Sequence, residues 1–171
     1  ISSVTRDIND SSDIYSINID GTGLKQITYS SNGEYYGHPI CSNERKKIVA
    51  VNTKNLVIMD MDGTNIRKLT DTDILDTSND DYWDSEPSFF AKGNKVIFVR
   101  RYEQMNPFII DDNICLLNLK NKDLKVVQKK INIECVYSPT VSKDEKKILF
   151  STEKAIYIMD LDGTNPVQLT F

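Results

Sequence analysis

A chain of 171 residues with 39% hydrophobic and 27% charged residues has the make-up of a globular domain, long enough for a compact fold to bury roughly 70% of the surface its unfolded chain exposes. Its net charge of -4 supplies no attraction for DNA, RNA or an anionic membrane surface, and no apolar run approaches the roughly 20 residues that span a bilayer. The three cysteines, Cys41, Cys115 and Cys135, form no CxxC pair and no cluster with the single histidine, so they read as small buried hydrophobes, with no disulfide inferred and no metal or cofactor implied.

The chain opens on Ile1 without a basic-then-apolar leader, which reads as a processed or trimmed start. Its first element is DIYSINIDGTGLKQIT, residues 13–28. Ile14, Ser16 and Asn18 alternate with Tyr15, Ile17 and Ile19, the period of two that marks a strand. Asp20-Gly21 then reads as a turn, because glycine accepts the positive φ of a tight hairpin and aspartate bonds to the backbone just beyond it. A short second strand follows over 24–28.

The next unit joins HPICSNERKKIVAV (38–51) to NLVIMDMDGTNIRKLT (55–70). Pro39 stands nine residues before Ile48, with Ser42-Asn43-Glu44 between them. That is a short strand, a turn and a strongly apolar strand, with the proline at a strand start where its missing N–H is tolerated. The second half repeats the 13–28 pattern with its turn at Asp62-Gly63. A third unit has EPSFFAKGNKVIFV (86–99), with Pro87, Val96 and the turn Lys92-Gly93-Asn94, and then NICLLNLKNKDLKVVQ (113–128). Here Asn121 occupies the glycine column and is predicted to take the positive φ. The last unit, SPTVSKDEKKILFS (138–151) and AIYIMDLDGTNPVQLT (155–170), again has Pro139, Ile148 and an Asp162-Gly163 turn. Segments 55–70 and 155–170 agree at nine of sixteen positions where chance gives about one, so the units are internal duplications.

Four antiparallel strands in about 40 to 50 residues is the size of one β-propeller blade. The predicted fold class is all-β: β-propeller blades of four antiparallel strands, about three and a half to four of them, in an incomplete or open ring. The chain 1–171 is a single segment, with a partial blade one at 1–28, blade two at 35–70, blade three at 82–128 and blade four at 135–171. Blade one lacks an innermost strand. The expectation is a fragment of a longer propeller; a second copy closing the ring and a short arc with frayed ends are the alternatives.

The copies IYSINIDGTGLKQIT, LVIMDMDGTNIRKLT and IYIMDLDGTNPVQLT, with SPTVSKDEKKILFS, resemble the Pro and Asp-Gly (WD40-like) repeats of the TolB-like propeller family over nearly the whole chain. In that family the namesake is a periplasmic six-bladed propeller of Gram-negative bacteria that binds a peptidoglycan-associated lipoprotein, and similar blades occur in bacterial surface proteins and in prolyl-oligopeptidase-type peptidases. The resemblance therefore implies a protein- or peptide-binding scaffold, periplasmic or extracellular. The chain departs from the family in its blade count and in the missing Asp-Gly turn of blade three.

Two unusual segments fall on one propeller face. The connection DTDILDTSNDDYWDSEP (71–87) holds Asp71, Asp73, Asp76, Asp80, Asp81, Asp84 and Glu86, and the stretch 100–113 reads as a loop about ten residues longer than its counterparts. Together they predict a lip over the channel mouth, with Tyr82, Trp83, Asp84, Tyr102 and Phe108 as its recognition patch. Trp83 serves equally well as a packing residue between blades. His38, Glu86 and Ser138 align at the start of the innermost strands, where His38 and Glu86 join the candidate site, and Tyr35 and Tyr137 suit either binding or blade packing. The acidic stretch is the sole argument for a calcium- or carbohydrate-binding module, and it lacks the spacing of an EF-hand loop. No G-x-S-x-G, H-E-x-x-H or phosphate-cradling glycine loop is present, so the expectation is a non-enzymatic scaffold; the alternative is the propeller part of a larger hydrolase or peptidase.

Overall fold

A strand such as KIVAVN, apolar at each position between Lys47 and Asn52, has two faces to bury and so needs a neighbour on each side. The computed structural model, which describes residues 2–6, 11–31, 33–42, 44–72, 80–105, 107–128 and 135–171, meets that need by setting four small sheets side by side. Blade one is β1 (Ser2–Arg6), β2 (Ser12–Ser16) and β3 (Lys25–Gln26), in that order across the sheet. Blade two is β4 (Tyr36–Ser42), β5 (Lys47–Asn52), β6 (Asn55–Asp60) and β7 (Arg67–Lys68). Blade three is β8 (Asp80–Phe89), β9 (Lys95–Met105), β10 (Phe108–Asn118) and β11 (Leu124–Gln128). Blade four is β12 (Tyr137–Val141), β13 (Lys147–Ser151), β14 (Ile156–Asp160) and β15 (Val167–Gln168). Within each sheet consecutive strands pair antiparallel, the meander of a propeller blade, and one isolated parallel bridge joins Ser12 of blade one to Tyr35. No helix occurs among the described residues, hence none long and apolar enough to cross a membrane.

The core lies between blades. Ile48, Ala50, Val57 and Met59 on one face of blade two meet Ile14 and Ile27 of blade one. From the opposite face Val49, Val51, Leu56 and Ile58 meet Val96, Phe98, Cys115 and Leu117 of blade three. Blade three then turns Phe90, Ile97, Val99 and Ile114 toward Ile148, Phe150 and Met159 of blade four. Each large side chain so buried contributes about 1.5 to 3 kcal/mol. Outer strands of two residues, such as β7 and β15, have little to add, so stacking of blade on blade holds the arc.

The far face of blade four shows the same pattern without a partner. Leu149, Ile156 and Leu169 are 38, 39 and 47% exposed, while their repeat equivalents Val49, Leu56 and Leu69 are at 0, 0 and 6% against blade three. Blade one is open at the other end. Among the described residues its sheet carries no strand beyond β1, and a Cβ built on Gly21 has nothing within 4 Å.

Asp-Gly turns do more than reverse the chain. Asp62 Oδ1 accepts bonds from the Thr64 amide (3.0 Å) and hydroxyl (2.7 Å), and Asp20 with Thr22 and Asp162 with Thr164 repeat the arrangement. Gly63, at φ 87°, also backs onto the neighbouring blade, where an added Cβ would stand 1.9 Å from the Ile27 carbonyl oxygen. Gly163 does the same to the Val127 carbonyl at 2.3 Å. In blade three the prediction for Asn121 fails: the positive φ, 59°, belongs to Lys122. The turn is one residue longer there. Asn118 N–H donates to the Asp123 carbonyl, five positions on, where Asp60 N–H reaches Thr64, four positions on.

Candidate partner-binding site

Each innermost strand of blades two, three and four carries one irregularity at its proline. Register slips between Gly37 and Ile40 in β4, between Ser85 and Ser88 in β8, and between Tyr137 and Thr140 in β12. The residue before the proline adopts a left-handed backbone each time: His38 at φ 47°, Glu86 at 53° and Ser138 at 48°. Such a conformation costs a non-glycine residue about 1 to 2 kcal/mol, and here it recurs three times at one repeat position.

The bulges bring the three side chains into one row. Inner strand β8 packs against both β4 and β12. Ser138 Oγ donates to Glu86 Oε2 at 3.1 Å, and His38 Nδ1 stands 3.8 Å from Glu86 Oε1. The His38 and Glu86 side chains are 42 and 27% exposed, so the row is open to solvent from one side. A second crossing, Ser88 to Thr140 at 3.4 Å between hydroxyls, ties the same two strands. Chemically this is a carboxylate flanked by a hydroxyl and an imidazole. The serine is bonded to the glutamate and not to the histidine, so the order is not that of a base-activated nucleophile. It suits recognition of a hydrogen-bond donor.

The predicted loop at 100–113 is instead a hairpin. β9 and β10 stay paired out to Met105 and Phe108, and β8 runs alongside from Asp80, paired with Gln104. The ladder extends where a loop was expected because residues 100–105 find cross-strand partners on both sides, in β8 and in β10. Tyr82 faces Tyr102 with ring centroids 5.0 Å apart. Trp83 faces Arg101, whose guanidinium lies 5.9 Å from the Trp83 ring and 5.9 Å from the Tyr137 ring. β8 starts six residues ahead of Glu86, while β12 starts one ahead of Ser138; at about 3.3 Å per residue β8 reaches about 17 Å further than β12. Phe108, Ile109 and Ile110 at its tip are all exposed.

Two ion pairs that the sequence reading missed hold this hairpin. Arg100 grips Asp84 through Nε–Oδ1 (2.7 Å) and Nη2–Oδ2 (2.9 Å). Arg101 grips Asp112 through two bonds of 2.6 Å, and Asp112 also accepts the Val136 amide at 2.7 Å, joining blade three to blade four. The Asp112 bonds raise the Arg101 guanidinium above its usual pKa against the opposing effect of burial. The visible signal was Arg100-Arg101 followed by Asp111-Asp112 across a hairpin. Asp84, expected in the recognition patch, is therefore corrected to an interior role: its side chain is wholly buried and both oxygens are taken.

The remaining expected residues divide. Glu86 and His38 meet in the axial row; Tyr82, Tyr102 and Phe108 lie along the hairpin; Trp83 and Tyr137 share Arg101. Tyr35 is not among them, since it packs against the core between blades two and three with its hydroxyl over Gly37. Of the acidic stretch, Asp81 pairs with Lys54 and Asp71 with Lys68 at 3.1 Å, while Asp73 and Asp76 lie outside the described residues. Among the described residues no three His, Cys, Asp or Glu side chains come together as a metal site would need.

Fold and site together define a partial β-propeller with a polar axial row and one projecting blade. No protein-family model matches the chain, and no curated protein matches it. Solved structures do. A protein assigned as TolB from Agrobacterium tumefaciens superposes at a TM-score of 0.70 with 14% identity, over 98% of this chain and 59% of that one. The nidogen/laminin complex gives 0.69 with 12% identity, over 95% and 58%. A puromycin-hydrolyzing peptidase of Mycobacterium tuberculosis gives 0.66 with 11% identity, over 98% and 30%. The chain thus spans less than two thirds of each of these proteins, and at such identities the likeness is one of fold.

Proposed function

We propose that this chain is a non-enzymatic scaffold of the TolB-like repeat family that binds a protein or peptide across the face bearing the axial row and the blade-three hairpin. The observation that carries the reading is the hairpin itself. It lifts exposed Phe108, Ile109 and Ile110 above the rim, on a stem braced by Arg100–Asp84 and Arg101–Asp112. Exposed apolar residues on a rigid stem offer contact area at small entropic cost, which is what an interface anchor requires. Glu86, with Ser138 and His38 beside it, gives the same face a polar point of recognition. The likeness to nidogen, solved in complex with laminin, supports a protein partner. A periplasmic or extracellular setting in a bacterium follows from the family resemblance. The open faces of blades one and four take further blades, from a longer chain or a second copy.

The test is to pan a peptide display library on the chain and titrate the selected peptides against variants. Phe108→Ser with Ile110→Ser, and separately Glu86→Gln, are expected to weaken binding at least tenfold while the melting temperature holds. Undiminished binding in both would sink the proposal. A second reading, the propeller part of a larger hydrolase, is favoured by the likeness to the peptidase. A hydrolase domain encoded in frame with this segment would establish it.

A further inference from the structure

On the opposite face of the arc, the turns of blades two and three border an open cleft of about 460 Å³ whose lining is mostly cationic. Its origin lies in the exceptional turn of blade three. At the junctions of blades one with two and three with four, a glycine backs directly onto the carbonyl of the preceding outer strand. Between blades two and three Asn121 holds that column, the turn is longer, and Leu119 stands across from Ile58 and Arg67 at the cleft. The repeat is broken where the space opens.

Arg45, Arg67 and Lys92 line this cleft, and among the described residues none of the three makes an ion pair. Lys47 also lines it, but its ammonium is engaged by Asp60. Among the described residues Glu44 is the one carboxylate of the lining. An adjoining space of about 240 Å³ shares Arg45 and Leu119 and adds Lys120. The Arg45 stem runs beside Gly93, where a Cβ would stand 3.3 Å from Arg45 Cγ. In a chain of net charge -4, three unpaired cations gathered in one concavity raise the local potential against the sign of the whole. The volume falls in the range of small-ligand sites, and guanidinium groups match phosphate oxygens in paired hydrogen bonds.

We infer that this cleft between blades two and three binds a small anion bearing phosphate groups, through Arg45, Arg67 and Lys92. The site is distinct from the partner-binding face and stands whether or not that proposal holds. The experiment is calorimetric titration of the chain with inorganic pyrophosphate at low salt. One-to-one saturable binding is expected, weakened at least tenfold by Arg45→Gln with Arg67→Gln, and strengthened by Glu44→Gln. Lys25→Gln, which alters an exposed cation on blade one, is expected to leave affinity within twofold. All of these positions are exposed, so the fold is expected to survive, and circular dichroism checks it. Absence of saturable binding at millimolar pyrophosphate would overturn the inference. So would binding that survives the double arginine substitution, or that falls equally with Lys25→Gln.

Discussion

Replacing Gly63 by alanine tests the claim that blade stacking, and not turn chemistry alone, makes glycine necessary. Gly63 and Gly21 sit in matching turns at nearly the same φ, 87° and 85°. An alanine at either position incurs the left-handed penalty of about 1 to 2 kcal/mol. At Gly21 that is the whole cost, since no atom of the described residues lies within 4 Å of the added Cβ. At Gly63 the Cβ would fall 1.9 Å from the Ile27 carbonyl oxygen, a backbone atom that cannot rotate aside. Blade one's outer strand has to retreat, loosening Ile27 and Ile14 from the core they share with blade two. Partial loss of that packing adds about 2 kcal/mol or more. For a chain of this size each kcal/mol lowers the melting temperature by about 2 to 4 °C. Gly21→Ala is therefore expected to lower it by about 2 to 8 °C and Gly63→Ala by about 6 to 16 °C, with the Gly63 variant lower by several degrees in a side-by-side scan. Differential scanning calorimetry on both gives the comparison, and Gly163→Ala, with its contact at 2.3 Å, belongs with Gly63. Equal losses at Gly21 and Gly63 would refute the reasoning.

Removing Arg101 strands the Asp112 carboxylate, whose side chain is 1% exposed, so Arg101→Ala is expected to cost about 3 kcal/mol in urea unfolding, well beyond a surface substitution; a loss under 1 kcal/mol would show the pair to be dispensable. His38→Gly relieves a left-handed residue that makes no short bond and is expected to raise stability by about 1 kcal/mol, while weakening peptide capture on the axial face; a fall in melting temperature would contradict it. The hydroxyl of Thr64 lowers the pKa of Asp62, and Thr164 does the same for Asp162, so their contribution is complete above the ordinary 3.8 and is lost as pH falls through the depressed folded values. Melting temperature should thus stay flat from these groups between pH 7 and 5 and drop below about 4, and Asp62→Asn with Asp162→Asn should shallow that drop. Burial pushes the Cys115 thiol up to about 12, so at pH 8 iodoacetamide is expected to label exposed Cys41 while sparing Cys115; equal labelling rates, followed by mass spectrometry, would argue against a closed core there.

The blades were legible because a two-faced strand and a glycine turn are local signals. Ile48 and Val49 announce both buried faces, and Asp62-Gly63-Thr64 carries its own hydrogen bonds. What escaped was set by partners distant in sequence. Nothing near residues 100–113 says that they form a ladder; the ladder exists because Tyr82 and Trp83, some twenty positions upstream, lie beside Tyr102 and Arg101. Asp84 read as a loop carboxylate because its partner Arg100 is across a strand pair. The axial row was half visible: alignment on Pro39, Pro87 and Pro139 placed His38, Glu86 and Ser138 together, but not the bulges and left-handed backbone that turn them toward one another. Asn121 misled because a substitution in one column was answered by a longer turn, which a gapless alignment hides.

Hydrogen–deuterium exchange on a complex with a panned peptide tests the central claim most directly, because it maps the contact without assuming it. The account predicts slowed exchange at the hairpin tip around Phe108–Ile110, along Tyr82–Glu86, and at His38 and Ser138, with the outer strands β7 and β15 unchanged. Protection confined to those outer strands, or to the faces left open by blades one and four, would contradict it.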